Sequence, residues 1–323
     1  MRAVQITQAG GPEVLTPTEL PDPVAGSGAL LVEVTAAGVN FIDTYQREGI
    51  YPMQLPYVAG LEGSGRVLAL GDGVEDVAVG DRVAWADALG SYAELVSVPA
   101  DRAVAVPDGV SDEAAVGALL QGMTAHFLVT DTHRVRDGED VLVHAAAGGV
   151  GLLLTQLTAA RGARVIATVS TAAKEELARA AGAAEVIRYT EVDDLASQVR
   201  RLTGGVGVAV VYDSVGATTF DASLASLRVR GMLVLYGAAS GPVPPVDPQR
   251  LNAAGSVFLT RPKLFDHVHT REELTSRAAA VYSAVADGTL AVRIEHRYSL
   301  AEARIAHEDL QGRRTTGKLL LLP

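Results

Sequence analysis

The most constraining stretch of this 323-residue chain is Val141-Leu142-Val143-His144-Ala145-Ala146-Ala147-Gly148-Gly149-Val150-Gly151. A β-rich run leads into Ala146, Gly148 and Gly151, which occupy the three positions of the dinucleotide fingerprint Gly-x-Gly-x-x-Gly, with Ala at the first. Gly148 lets the backbone approach a pyrophosphate, and Gly151 lets the next helix lie close on the strand. The amides opening at Gly149 and Val150 would face the anion with the helix dipole behind them. A bare glycine triplet also fits an ordinary tight turn, so the context decides. A helix over 150–161 closes at Gly162, a strand covers 164–169, and a second helix over 171–181 closes at Gly182. Stretches 185–189, 208–212, 232–236 and 256–260 are further strand candidates. Strands alternating with helices in this way imply right-handed crossovers and a parallel sheet of about six strands.

The flanks have another texture. Up to about residue 124, short alternating runs at 2–7, 30–34, 65–70 and 82–85 are separated by turns such as Gly71-Asp72-Gly73 and Val79-Gly80-Asp81, the pattern of a small barrel or sandwich. After Arg261-Pro262, Thr270 and Glu273 have capping-box spacing and open a helix to about Ala286, and 318–322 reads as a strand returning to the first domain. The expected domains are 1–124, 125–261 and 262–323, with the α/β part inserted between two parts of the other. Length agrees, at roughly 150 residues per domain.

Composition narrows the chemistry. With 48% hydrophobic and 20% charged residues the chain reads as globular rather than disordered or fibrous. A net charge of −11 with no local basic stripe disfavours nucleic acid. The absence of cysteine removes disulfides, thiolate nucleophiles, Cys-ligated zinc and iron–sulfur clusters. No Gly-x-Ser-x-Gly elbow and no His-x-x-x-His pair occurs. No apolar run approaches the roughly 18 residues of a membrane span, and residues 1–10 lack the marks of a secretory signal, so a soluble cytoplasmic protein is expected.

The end of the second strand chooses the cofactor. An NAD site wants Asp or Glu there for the ribose hydroxyls, and a carboxylate would repel a 2′-phosphate. The chain reads Thr168-Val169-Ser170-Thr171-Ala172-Ala173-Lys174, with hydroxyls and a cation but no acid. NADPH is therefore expected over NADH.

The phrases 38–45 (GVNFIDTY), 121–125 (QGMTA), 145–151 (AAAGGVG), 211–216 (VYDSVG) and Thr260-Arg261-Pro262 resemble the NADPH quinone oxidoreductases, the zinc-free, zeta-crystallin-like branch of the medium-chain dehydrogenase/reductase superfamily. The resemblance implies a doubly wound Rossmann sheet inserted in a chaperonin-10-like (GroES-like) β-barrel domain. It implies a 2′-phosphate group of Lys174, Tyr189 and Arg313, with Ser170 where a glycine is usual. Arg188 replaces a usual Asn, and strand alternation turns it away from Tyr189 to the surface. Asn40, Tyr45, Tyr51 and Thr124 would surround the nicotinamide and the acceptor, with Gly216 and Gly237 lining the cofactor cleft. Each also has a structural reading: Asn40 as a cap, Tyr45 as core, Thr124 as a helix start. Ala238 stands where relatives tend to carry Asn. No metal is expected, because the zinc-dependent relatives use a Cys near the Asn40 position and the His of a Gly-His-Glu motif, and this chain has Gly60-Leu61-Glu62. The implied activity is NADPH-dependent quinone reduction by hydride or one-electron transfer. An NADPH enone or enoyl reductase shares every motif, and an NADPH-binding structural or RNA-binding protein is the alternative of another class. Pairing of the edge strand 256–260 across a two-fold axis would give a homodimer.

Overall fold

A run of Val and Leu side chains without polar interruption belongs where both faces of a sheet are covered, and Val141, Leu142 and Val143 are wholly buried. The computed structural model describes residues 1–323. The chain divides into unit 1, Met1–Met123 with Val268–Pro323, and unit 2, Thr124–His267.

In chain order unit 1 begins with β1 (Arg2–Ile6), β2 (Thr16–Glu19), β3 (Ala29–Val39), α1 (Phe41–Arg47), β4 (Tyr57–Val58), β5 (Glu62–Leu70), β6 (Arg82–Trp85), β7 (Leu95–Pro99), β8 (Val104–Ala105) and α2 (Asp112–Phe127), whose last residues belong to unit 2. Unit 2 continues with β9 (Asp140–Val143), α3 (Gly149–Ala159), β10 (Arg164–Val169), α4 (Ala172–Ala180), β11 (Glu185–Arg188), α5 (Leu195–Leu202), β12 (Val208–Asp213), α6 (Phe220–Ser226), β13 (Leu227–Leu235), α7 (Gln249–Ala253) and β14 (Phe258–Thr260). The chain then returns to unit 1 with α8 (Arg271–Ala286), β15 (Ile294–Ser299), α9 (Ala303–Gln311) and β16 (Lys318–Leu322).

Unit 1 holds a three-stranded sheet, β2-β1-β4, and a seven-stranded sheet in the order β15-β16-β3-β5-β6-β8, with β7 also paired to β3. β3 alternates as a half-buried strand should, with Leu30, Val32 and Val34 inward and Glu33 outward. These residues join Trp85, Tyr92, Leu319 and Leu321 in one core. The expected last strand is present: β16 pairs antiparallel with β3, Leu320 opposite Gly38. The Thr270–Glu273 capping box also forms, opening α8.

Unit 2 is a parallel six-stranded sheet, β11-β10-β9-β12-β13-β14. Two expected strands are shorter than the sequence suggested. Ser256 takes φ 55 after Gly255 at φ 103, a left-handed turn, so β14 starts only at Phe258. Tyr189 leaves β11 for a 3-10 turn. β13 is longer than expected, starting at Leu227. No helix is long and apolar enough to cross a membrane.

Close packing of α3 on β9 depends on Gly151, where a Cβ would stand 2.2 Å from the Ala145 carbonyl oxygen and 2.8 Å from Ala146 Cα. Both are backbone, so relief means moving the helix. Gly151→Ala should cost about 1 to 3 kcal/mol in a thermal or urea melt. Gly148→Ala, whose Cβ meets nothing nearer than 3.2 Å, should cost clearly less. Equal losses would mean that this approach does not limit the packing.

Candidate active site

Numbered within unit 2, the sheet runs 3-2-1-4-5-6, so connections leave in opposite directions between β9 and β12, and ligands bind at such a switch point outside the carboxyl ends of the strands. There the Gly148 N–H donates to the Ala145 carbonyl (2.9 Å) and the Ala146 N–H to the Thr168 carbonyl (3.2 Å). Gly148 caps α3, whose first turn carries no acidic residue. The amides of Gly149, Val150 and Gly151 have no acceptor within the helix, which suits an anion.

One strand over, the Thr171 hydroxyl caps α4 by accepting from the Lys174 N–H (3.3 Å). The Thr190 hydroxyl donates to the Ser170 carbonyl (3.1 Å). Ser170 and Lys174 thus lie on a segment hydrogen-bonded to the one that carries Tyr189. Arg313 belongs to unit 1, exposed at φ 56 in the turn after α9. Arg188 reaches the surface as expected, but as an ion-pair partner of Glu175 (3.2 Å) and Glu191 (2.7 Å).

Gly216 and Gly237 mark where the loops after β12 and β13 run backbone against backbone. At Gly216 φ is 93 and a Cβ would stand 2.7 Å from the Gly241 carbonyl oxygen; at Gly237 it would stand 2.4 Å from that of Ser214. The first loop hangs on Asp213, whose Oδ1 accepts from the Val215 (2.8 Å) and Gly216 (3.0 Å) amides. Asp213 Oδ2 accepts from the Ser223 hydroxyl (2.7 Å), so Ser223 Oγ receives the His144 Nε2–H (2.9 Å), and His144 Nδ1 accepts from the Thr168 hydroxyl (2.9 Å). Burial lowers the His144 pKa, against the pull of Asp213, in keeping with a neutral ring. Sequence reasoning did not single out His144, Asp213 or Ser223. The available signal was a polar residue closing each of two apolar strands.

In unit 1, Asn40 caps α1 and its amide orientation is set by its partners. Lys318 Nζ can only donate and lies 3.0 Å from Oδ1, while Nδ2 donates to Glu62 Oε2 at 2.8 Å. Gln121 also donates to Oδ1 (3.1 Å), and Nδ2 reaches the Gly38 carbonyl (3.4 Å). The two lone pairs and two N–H bonds of the amide are therefore all engaged by protein. In this structure Asn40 is a link in a buried network. Glu62 accepts in addition from the Leu120 N–H (2.8 Å) and pairs closely with Lys318.

A second chain starts from the same residue. Asp43 Oδ2 accepts from the Asn40 N–H (2.8 Å) and from the Tyr92 hydroxyl (3.0 Å). Arg47 donates to His307 Nδ1 (3.0 Å), so Nε2 carries the ring proton and gives it to Tyr92 Oη (3.1 Å). Asp43 Oδ1 is buried without a partner. Outside this network, Tyr45 meets Tyr51 edge to face at 5.6 Å and Phe41 at 6.3 Å. Ile50, Tyr51 and Leu55 are exposed beside them in sequence. Thr124 is half-buried on α2, in unit 2. No group of three or more His, Asp or Glu side chains is placed to hold a metal ion.

Burial pushes the Asp43 carboxyl from 3.8 up to about 7, and burial followed by the Arg47 charge pushes His307 from 6.5 down to about 3. The raised acid contributes stability that is full below pH 3.8 and is lost as pH climbs to about 7. The depressed histidine contributes stability present above pH 6.5 and lost as pH falls towards about 3. Between 3.8 and 6.5 the two slopes oppose and nearly cancel. Asp43→Asn should uncover the histidine's slope, its unfolding free energy rising relative to the parent by up to about 1.4 kcal/mol per pH unit in urea titrations across that window. Parallel curves would show that Asp43 does not titrate there.

The alcohol dehydrogenase GroES-like domain family matches residues 26–108, and the zinc-binding dehydrogenase family matches residues 149–270. Despite that second name, the chain has Leu61 in place of the motif's histidine and no cysteine. A quinone oxidoreductase of Salmonella typhimurium is 44% identical over 99% of both chains. A 2-haloacrylate reductase of a Burkholderia species is 40% identical over 99% of this chain and 98% of its own. A mycobacterial protein solved in complex with NADPH is 54% identical and superposes with a TM-score of 0.98 over 100% of both chains. Likeness of this extent, running through both units, means that the chain belongs to the quinone oxidoreductase family of the medium-chain dehydrogenase/reductase superfamily.

Proposed function

We propose that the protein reduces quinones at the expense of NADPH. The observation that carries this reading is the end of β10, where Ser170, Thr171 and Lys174 stand in place of the carboxylate an NADH site needs, beside an α3 N-terminus free of acids. These residues fit the cofactor: the Gly149 to Gly151 amides would hold its pyrophosphate, and Ser170, Lys174 and Tyr189 its 2′-phosphate. Gly216 and Gly237 let the loops after β12 and β13 pass backbone against backbone at the carboxyl end of the sheet. When bound, NADPH supplies the hydride. Tyr45 and Tyr51 are assigned to the acceptor, two rings for a flat substrate and hydroxyls for the oxygen on which negative charge grows. Asn40 acts through its neighbours. A hydroquinone anion is a tolerable product, so the chemistry requires no strong general acid.

The likeness to the 2-haloacrylate reductase favours a second reading, reduction of an electron-poor carbon–carbon double bond. Metal-stripped protein assayed with NADPH and NADH against 1,4-benzoquinone, an ortho-quinone and a simple enone separates the two. Quinone turnover with NADPH preference is expected, and Lys174→Ala should weaken NADPH by about 1 to 3 kcal/mol while sparing NADH. Enone turnover alone would promote the second reading. Absence of turnover with every acceptor would overturn both.

β14 lies at an edge of the sheet with Phe258 57% exposed, and Val229 on the neighbouring β13 is 68% exposed. An open apolar edge invites pairing with a second copy of the chain across a two-fold axis. Light scattering at micromolar concentration should give twice the chain mass, and Phe258→Asp should halve it. A monomeric parent protein would refute the dimer.

A further inference from the structure

We infer that Arg188 is a specificity-determining residue for the phosphate end of the cofactor, because with Arg179 it neutralises Glu175, the carboxylate directly next to Lys174 in the first turn of α4. The inference rests on the reading that Lys174 holds the 2′-phosphate. Glu175 follows Lys174 directly in the first turn of α4. An uncompensated acid there would work against the cation and repel a dianion. Both of its oxygens are committed instead: Oε1 accepts from Arg179 Nε (3.0 Å) and Nη2 (2.9 Å), and Oε2 is paired with Arg188 Nε (3.2 Å). Glu191, two residues after Tyr189, is held by the other end of the same guanidinium at 2.7 Å. Glu176 is turned about 200° round the helix from Lys174. Two acids interleaved with Ser170, Lys174 and Tyr189 are thus matched by two arginines.

Position explains why Arg188 can do this. Val169 and Arg188 are register partners on adjacent parallel strands, so the side chain of Arg188 leaves the end of β11 beside the start of α4. With the Thr190–Ser170 bond it joins the segment that carries Tyr189 to the one that carries Lys174. The side chains of this network are 23% to 54% exposed, and exposed ion pairs add little to stability. Its consequence is local: it sets the charge that a phosphate meets.

The test measures dissociation constants of NADPH and NADH for the full-length protein by nicotinamide fluorescence at low ionic strength. Arg188→Ala should lower the preference for NADPH over NADH by about three- to tenfold, the effect of one freed charge near a dianion at a solvated site. The double variant Arg188→Ala with Glu175→Gln should restore the preference, and Arg188→Lys should keep most of it. A merely structural role for Arg188 would not be rescued by removing the acid. An unchanged preference in Arg188→Ala, or no recovery in the double variant, would overturn the inference. Lys174→Ala distinguishes the two levels of the argument. If it lowers the preference and Arg188→Ala does not, the phosphate assignment stands and only the role of Arg188 fails. If Lys174→Ala leaves the preference intact, the assignment falls and this inference with it.

Discussion

Lys318 and Glu62 meet in the interior of unit 1, where their side chains are 1% and 0% exposed. Removing either partner of such a pair leaves the other charge uncompensated, at a cost of about 3 to 5 kcal/mol, so every neighbour has to serve them. The Glu62 carboxylate takes an amide from Leu120 and the Asn40 side chain; the Lys318 ammonium takes the Asn40 carbonyl oxygen. Gly38 is glycine because a Cβ there would lie 2.7 Å from Lys318 Nζ and in contact with Glu62. The pair joins β16, near the end of the chain, to β5, near its start. Asn40 passes the constraint on: its backbone N–H is capped by Asp43, and Asp43 is bound through Tyr92 and His307 to Arg47. The helix that bears Tyr45 is therefore anchored on its buried side by two polar networks.

Unit 2 solves a similar problem with hydroxyls. Asp213 is wholly buried at the end of β12 and is met by backbone amides and by the hydroxyls of Thr219 and Ser223. From Ser223 the chain of donors runs through a neutral His144 to Thr168, so the ends of β9, β10 and β12 are coupled to α6. A fully satisfied network of this kind rigidifies its surroundings. It lies at the carboxyl ends of the strands, where the glycine-rich turns must keep their shape for a nucleotide to fit.

Both units then contribute to the proposed chemistry by what they exclude. In unit 1 the position of a metal-binding histidine is taken by Leu61, and the neighbouring carboxylate is committed to an ammonium. In unit 2 Glu175 and Glu191, beside Lys174 and Tyr189 in sequence, are paired to arginines. Catalysis by a cofactor that brings its own hydride requires little more of the protein than orientation and well-placed dipoles.

The periodic elements and the glycine-rich turn were legible along the chain. Alternating apolar runs, Gly148 and Gly151, the Thr270 capping box, the returning strand 318–322 and the missing acid after β10 are local patterns, and local sterics and hydrogen bonding decide them. The polar interior emerged only from the folded chain. Asn40 and Lys318 are 278 residues apart, and Arg47 and His307 are 260 apart, so no window along the chain could reveal that one saturates the other. The same holds for Arg188, whose outward placement followed from strand alternation, whereas its partner on α4 followed from the register of β10 against β11. Side-chain charge acts through space, and the sequence orders residues only along the chain.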